Sequence, residues 1–295
     1  MGSMDPRGVP LAEEITEEPR ERSIGDIIRD SHQLSASQME RVLAYQRDNG
    51  VRIGEALVAL KLASQEDVVH ALAQQFQYPY SYAQGSQPRP ELVTLNQPFS
   101  AQAEMFRALR SQLISRVFGV GDRRALAVLS PARGEGRSYV AANLAVVLAQ
   151  LGGRTLLIDA DLRFHRQQQI FALENRAGLS AILAGRSRTR VIQAVEGAPS
   201  LYVLPVGVTP PNPLELIERQ AFALVIQELS SKFDYVVVDT PAAQVGADAA
   251  AIAARCGSGL VVVRQGHSRS AAVRELVDSL AGSPAKVAGL MMNRF

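Results

Sequence analysis

The stretch from Ala125 to Arg163 restricts the fold more than any other part of the chain. An apolar run, Ala125 to Leu129, enters a glycine-rich turn that reads Ser130-Pro-Ala-Arg-Gly134-Glu135-Gly136-Arg137-Ser138. A helix-length segment follows, and Arg154 to Ala160 then reads as a buried strand whose end carries Asp159 and Asp161. Turn glycines let backbone N–H groups face inward, and the next helix N-terminus adds partial positive charge. This junction is therefore an anion cradle made of backbone. From Ala125 onward, strand-like runs alternate with helical spacing: Ala125–Ser130, Arg154–Ala160, Leu201–Val206, Tyr235–Asp239, Gly259–Arg264 and Val287–Met292. That alternation predicts an α/β domain, a parallel sheet with helices on both faces. Sites in such sheets lie beyond the strands' carboxyl ends, where the turn, Asp159, Asp161 and Asp239 all fall.

The turn is similar to the phosphate loop GxxxxGK[ST], with two departures. Pro131 stands at the first Gly and Arg137 at the Lys, while Ser138 is in place to ligate magnesium. Phe233-Asp-Tyr-Val-Val-Val-Asp239 is an apolar strand ending in the carboxylate type that supports such an ion. Asp159 and Asp161, two apart on a strand, share one face and can address one ion or substrate. Each Asp alone could instead cap a helix; three beside a phosphate loop favour chemistry.

The chain of 295 residues, 47% hydrophobic, can bury a substantial core in roughly one to three domains. A net charge of +2 gives no nucleic-acid footprint. The single cysteine, Cys256, cannot form an internal disulfide and suits a reducing compartment. No apolar stretch approaches the ~20 residues of a membrane helix, so a cytoplasmic protein is expected. His32, His70, His165 and His267 show no metal-ligand spacing, and no GxSxG elbow occurs. Met1-Gly-Ser before Met4 reads as an expression scar, and residues 1–22 as that scar plus a mobile arm.

Residues 23–82 contain an internal repeat. One copy starts at Ser23 (SIGDIIRDSHQLSASQ) and the other at Arg52 (RIGEALVALKLASQED). Each offers two short amphipathic helices, with Ser35 and Ser64 as N-caps of the second, so a small all-α domain is expected. The repeats resemble the N-terminal domain of type II secretion and pilus ATPases. Some relatives of that domain bind cyclic di-GMP through Arg-Leu-Gly starts, which here would involve Arg52 and Gly54. His32 and Lys61 occupy positions where that pattern has Gly; protein docking is the alternative use of the domain. Tyr78, Tyr80 and Tyr82 either close the small domain's core or serve as phosphate acceptors. Residues 83–98, with three prolines and a glycine, read as a linker to the domain at 99–295.

On the predicted helix 101–118, Glu104, Arg107 and Arg110 lie three apart, which allows an i,i+3 Glu–Arg pair. With GEGRSYVAANLA, LLIDADLR, VVVDTPA, GLSAILAG and LPVGVTPPNPLELI, this Glu-Met-Phe-Arg-Ala-Leu-Arg helix makes residues 99–295 resemble the bacterial tyrosine kinases of exopolysaccharide synthesis. These are relatives of the MinD/ParA-type P-loop ATPases, not of eukaryotic protein kinases. The resemblance implies a P-loop kinase domain that uses ATP/ADP and Mg2+. Gly134, Glu135, Gly136, Arg137, Ser138 and Tyr139 would cradle phosphate, and Asn293 and Arg294 would contact adenine. Ser138, Asp159 and Asp239 would support the metal. Asp161 would accept the tyrosine proton, with Asp159 and Arg137 assisting. It further implies a homo-oligomeric ring through Glu104, Arg107 and Arg110, and a membrane-spanning chain-length partner that brings the protein to the inner membrane. The family's tyrosine-rich tail has no counterpart after Asn293-Arg294-Phe295: either the given sequence stops short of it or the acceptors lie elsewhere, with Tyr78, Tyr80 and Tyr82 as the internal candidates. The alternative is a nucleotide-switched assembly protein without kinase activity.

Overall fold

The computed structural model describes residues 22–75, 89–119, 125–186 and 191–294, with the side chain of Glu66 excepted. Tyr78, Tyr80 and Tyr82 lie outside the described residues. The chain divides into two compact units, Met1–Tyr78 and Pro79–Phe295.

The first unit holds four helices, α1 (Ile24–His32), α2 (Ala36–Asn49), α3 (Ile53–Ala59) and α4 (Gln65–Gln75). Ser35 caps α2 in a reciprocal box: its hydroxyl accepts the Gln38 N–H (3.3 Å) and its own N–H reaches Gln38 Oε1 (2.8 Å). Ser64 and Asp67 do the same at α4, with bonds of 2.7 and 3.1 Å. Ile28, Val42, Ala56, Leu57 and Ala71 fill the shared core. Gly54 is a packing position, since a Cβ there would stand 2.6 Å from Val68 Cγ1. The left-handed non-glycine residues of this unit are Gln33 (φ 50°) and Lys61 (φ 55°). Lys61 stands where the repeat pattern has Gly, whereas in the first copy the left-handed residue is Gln33 and not His32. That copy's leading helix runs longer than its counterpart and moves the turn to Gln33.

The second unit is the α/β domain. Its sheet has the order β3-β4-β2-β5-β1-β6-β7, formed by β1 (Ala125–Leu129), β2 (Thr155–Asp159), β3 (Gln193–Val195), β4 (Ala198–Leu204), β5 (Tyr235–Asp239), β6 (Gly257–Arg264) and β7 (Lys286–Asn293). All neighbours are parallel except β3 and β4. Alternate residues supply two cores, as a twice-covered sheet requires. Leu126, Val128, Leu157 and Val237 face helices α5 (Val93–Asn96), α6 (Ala101–Leu113) and α7 (Arg137–Ala149). Leu129, Ile158, Val236 and Val238 face the other side. There they meet α9 (Leu179–Leu183), α10 (Pro213–Glu218), α11 (Gln220–Lys232), α12 (Asp248–Cys256) and α13 (Ser270–Ala281). A short helix, α8 (Gln167–Ile170), follows β2. Helix α7 is apolar nearly all round and correspondingly buried from Val140 to Ala149.

The linker expected over 83–98 does not extend to its end. Leu92, Val93 and Thr94 are buried, and Thr94 is locked to Asn143 of α7 by its N–H (3.0 Å) and its hydroxyl (2.9 Å). Asn143 Nδ2 in turn donates to the Glu91 carbonyl (2.8 Å). Proline content signalled irregular backbone here, but the apolar Leu-Val pair and a matched polar pair hold it on α7.

Candidate active site

The β1–α7 loop turns through Gly134 (φ 79°) and Gly136 (φ 88°), a left-handed geometry that glycine alone adopts without strain. Around Gly134 nothing lies within 4 Å of where a Cβ would be, so the backbone borders open space. Glu135 braces the loop from behind. Its carboxylate accepts the Ala132 N–H (2.9 Å) and the Ser268 hydroxyl, and its carbonyl accepts Asn293 Nδ2 (3.2 Å). Arg264 Nη1 donates to the Gly134 carbonyl (3.2 Å). The loop borders a cleft of about 740 Å3, which Glu135 to Tyr139, Asp161, Phe164 and Arg166 also line.

Below the loop, strand register does the positioning. Asp159 pairs with Asp239 across β2 and β5, and Val128 of β1 pairs with Asp239. Both carboxylates are fully buried. Arg137, only 8% exposed, reaches into this floor. Its Nη2 donates to Asp161 Oδ2 (2.9 Å), its Nε to Asp239 Oδ1 (3.2 Å) and its Nη1 to Ser130 Oγ (2.9 Å). A planar fork with several donors can serve three acceptors at once; a lysine ammonium could not do so in this geometry.

The three carboxylates differ in use. Asp159 Oδ1 accepts the Asp161 N–H (3.2 Å), and Oδ2 accepts those of Arg166 (3.2 Å) and Gln167 (3.0 Å), so it also shapes the turn into α8. Burial, reinforced by the Asp239 charge, pushes its carboxyl well above the ordinary range. Asp161 Oδ1 takes the N–H groups of Arg163 (3.2 Å) and Phe164 (2.9 Å). Burial raises its affinity for a proton too, against the opposing pull of Arg137. A carboxylate so raised is a better base than a solvated one. Tyr139 is also pushed upward, by burial.

Gln167 escaped the sequence reading. It is fully buried, and its Nε2 donates to Asp239 Oδ2 (2.7 Å) and to the Ser138 carbonyl (3.1 Å). It ties the phosphate loop to the β5 carboxylate, while its Oε1 has no protein partner. Nothing in the run Gln167-Gln168-Gln169 marks the first as the inward one; the Asp159 turn decides that. Arg163 is held by both Asp248 oxygens, at 3.2 and 3.3 Å.

The remaining sequence candidates are placed as follows. Asn293 and Arg294 lie at the end of β7, and Asn293 contacts the loop through the Glu135 carbonyl. On α6, Arg107 pairs with Glu104 (2.7 Å) and with the Pro98 carbonyl, and Arg110 donates to the Val147 carbonyl (2.7 Å). Glu104 stays 70% exposed at its side chain, whereas Arg107 is 16% exposed. In the helical unit Arg52 is exposed, and its N–H donates to Glu55 (2.9 Å). Among the described residues, no group of three or more His, Cys, Asp or Glu side chains is placed to hold a metal by itself. A phosphate-loop ion does not require such a group, because one hydroxyl and nucleotide oxygens supply much of its shell. The donor set here, a Ser138 hydroxyl on the cleft with Asp159 and Asp239 behind it, fits that kind of ion.

The profile of the family described as "Cellulose biosynthesis protein BcsQ" matches residues 125–277. Tyrosine-protein kinase YwqD of Bacillus subtilis (strain 168) is 33% identical over 211 residues, covering 71% of this chain and 88% of that protein. The chain belongs to the bacterial tyrosine-protein kinase family. Putative tyrosine-protein kinase CapB of Staphylococcus aureus is 32% identical over 203 residues, covering 69% and 89%. The kinase domain of Escherichia coli tyrosine kinase ETK superposes with a TM-score of 0.66 at 30% identity, over 72% of this chain and 84% of that one. The cell division ATPase MinD of Pyrococcus furiosus, at 24% identity and a TM-score of 0.52 over 59% and 73%, shares the fold. Among the described residues no helix is long and apolar enough to cross a membrane.

Proposed function

We propose that this family member transfers the γ-phosphoryl group of ATP to tyrosine, with Asp161 accepting the hydroxyl proton. The observation that carries the reading is the position of Asp161. It lines the cleft beside the glycine cradle, and burial raises its proton affinity. Backbone N–H groups of residues 134–139 receive the phosphates, and Arg137 adds a cation. Ser138 would hold a magnesium ion with Asp159 and Asp239 behind it, and such an ion would supply charge neutralisation at the phosphates. The catalytic demand on the protein is then mainly positioning.

Arg137 gives the site two settings. In the structure its fork occupies Asp161 Oδ2 and Asp239 Oδ1. Phosphate oxygens compete for the same fork, and moving it frees the Asp161 oxygen that must take a proton. Occupancy by ATP and unmasking of the base are thereby linked. This linkage also supports a second use, in which nucleotide mainly switches assembly and transfer is slow.

The relatives support a biological setting. We infer a role in exopolysaccharide polymerisation or export, beside a separate membrane-spanning chain-length protein that holds this chain at the inner membrane. Glu104 and its exposed apolar neighbours Phe99 and Met105 are suited to contacts between subunits of a ring, with Arg107 and Arg110 fixing that face. Tyr78, Tyr80 and Tyr82 are the acceptors to examine. The helical unit acts as a docking module. Packing explains Gly54, so of the two cyclic-di-GMP candidates only Arg52 is exposed for a ligand. Phosphotyrosine mapping by mass spectrometry after incubation with ATP and magnesium tests the reading. Phosphate on the 78–82 cluster supports it; nucleotide binding without any phosphotyrosine supports the assembly switch.

A further inference from the structure

We propose that Phe164, steadied by Arg133, is the platform on which the ring of the acceptor tyrosine docks beside Asp161. This assignment rests on the phosphotransferase reading and names how that site selects its acceptor. Phe164 stays 46% exposed, although it stands in a cleft lined mainly by charged and polar groups. An aromatic side chain left in water forgoes the burial it would gain against an apolar partner. Its backbone is held in place. The Phe164 N–H donates to Asp161 Oδ1 at 2.9 Å, so platform and base belong to one tight turn.

Arg133 projects from the phosphate loop and lays its guanidinium over the Phe164 ring, 3.8 Å from the centroid. Among the described residues it makes no ion pair with a carboxylate. Its other arginine neighbours in the cleft are engaged differently: Arg137 with Asp161 and Asp239, Arg166 with Glu91. A guanidinium stacked on a ring fixes that ring and occupies one side of it. What remains exposed can take a second ring in an offset or edge-on arrangement. A phenol docked there lies next to the carboxylate that must take its proton. Serine and threonine have no ring for the platform and reach less far from their backbone, so the arrangement selects tyrosine. The stack also links the phosphate loop to the acceptor side of the cleft, because Arg133 moves with the cradle.

The test is a binding titration followed by 19F NMR, with full-length protein, magnesium and a non-hydrolysable ATP analogue. The probe is a synthetic peptide of residues 77–83 carrying 3-fluorotyrosine. Phe164→Ala should weaken peptide binding about three- to tenfold, the range of one aromatic pair. Phe164→Leu should be equally weak, and Phe164→Tyr should restore binding. Equal affinity in all four proteins, or equal binding of a peptide with serine in place of tyrosine, overturns the platform. Nucleotide affinity is measured separately on each variant. If Phe164→Ala loses nucleotide as well as peptide, the side chain serves the cradle and the assignment is wrong. Phosphoryl transfer to the same peptide is followed with ATP. Ring-dependent binding without transfer sinks the kinase reading while the platform stands; transfer that ignores Phe164 sinks the platform alone.

Discussion

Replacing Arg137 tests the two-setting site most sharply, because the fork makes three bonds at once. In Arg137→Met, Asp161 and Asp239 lose their cation while remaining 2% and 0% exposed. Breaking a buried ion pair from one side costs about 3–5 kcal/mol. For a unit of this size each kcal/mol moves the melting temperature by about 2–4 °C, so a fall of about 10 °C is expected. Arg137→Lys keeps the charge but cannot hold Asp161 Oδ2, Asp239 Oδ1 and Ser130 Oγ together. Losing part of that network should cost about 1–2 kcal/mol, or about 3–6 °C. The same loss makes the cation easier to detach from the carboxylates. Nucleotide affinity in Arg137→Lys should therefore rise, by up to about tenfold if about 1.4 kcal/mol is recovered on binding. Turnover should rise with it. Differential scanning calorimetry and isothermal titration with ATP analogue and magnesium read the two effects. An Arg137→Lys protein with unchanged melting temperature and unchanged nucleotide affinity would refute the competition between carboxylates and phosphate.

Three further outcomes follow from the same structure. Burial raises the folded-state values of Asp159 and Asp161 above the ordinary 3.8. Their protonated forms thus favour folding: that stability is complete below 3.8 and declines as pH rises through the raised values. Urea midpoints of the α/β unit should fall over this window, and Asp159→Asn should flatten the slope; a steeper slope in that variant contradicts the assignment. Gln167→Leu removes the donor to Asp239 Oδ2 and the Ser138 carbonyl, costing about 1–3 kcal/mol in stability. Magnesium-dependent nucleotide binding should weaken more than magnesium-independent binding. Thr94→Val removes the hydroxyl donor to Asn143 Oδ1 but keeps the backbone N–H bond, costing about 0.5–1.5 kcal/mol. Hydrogen exchange should then accelerate at residues 92–98, and unchanged protection would show that apolar packing alone holds this segment.

The parallel sheet was legible because β1, β2 and β5 are buried on both faces and so read as unbroken apolar runs ending in turn residues or Asp. Strand β3 was not: Gln193–Val195 is a three-residue antiparallel edge with a single buried side chain. The loop glycines and the aspartates carry their chemistry in their spacing. What they do to one another does not show in spacing. Asp159 works on three backbone N–H groups as well as facing Asp239, and only the register of β2 against β5 reveals both. Gln167 and Phe164 depend on that same turn. The prolines of 83–98 predict linker as far as residue 98 despite two apolar residues, Leu92 and Val93. In the fold, those two residues and Thr94 find a buried helix to cover. On α6 the Glu104–Arg107 pair follows from i,i+3 spacing, whereas the reach of Arg110 to the Val147 carbonyl needs α7 beside it.

The central claim is that this chain moves phosphate from ATP to tyrosine with Asp161 as the base. The most direct test is the initial rate of radiolabel transfer from γ-labelled ATP to phosphotyrosine, compared between the wild-type chain and Asp161→Asn under saturating nucleotide. Asn keeps the size of the side chain and can still accept the Phe164 N–H, but it cannot take a proton. The account predicts phosphotyrosine in the wild type and a loss of about a hundredfold or more in the variant, with nucleotide still bound. Equal rates in the two proteins, or no phosphotyrosine in a wild-type protein that binds ATP, would contradict it.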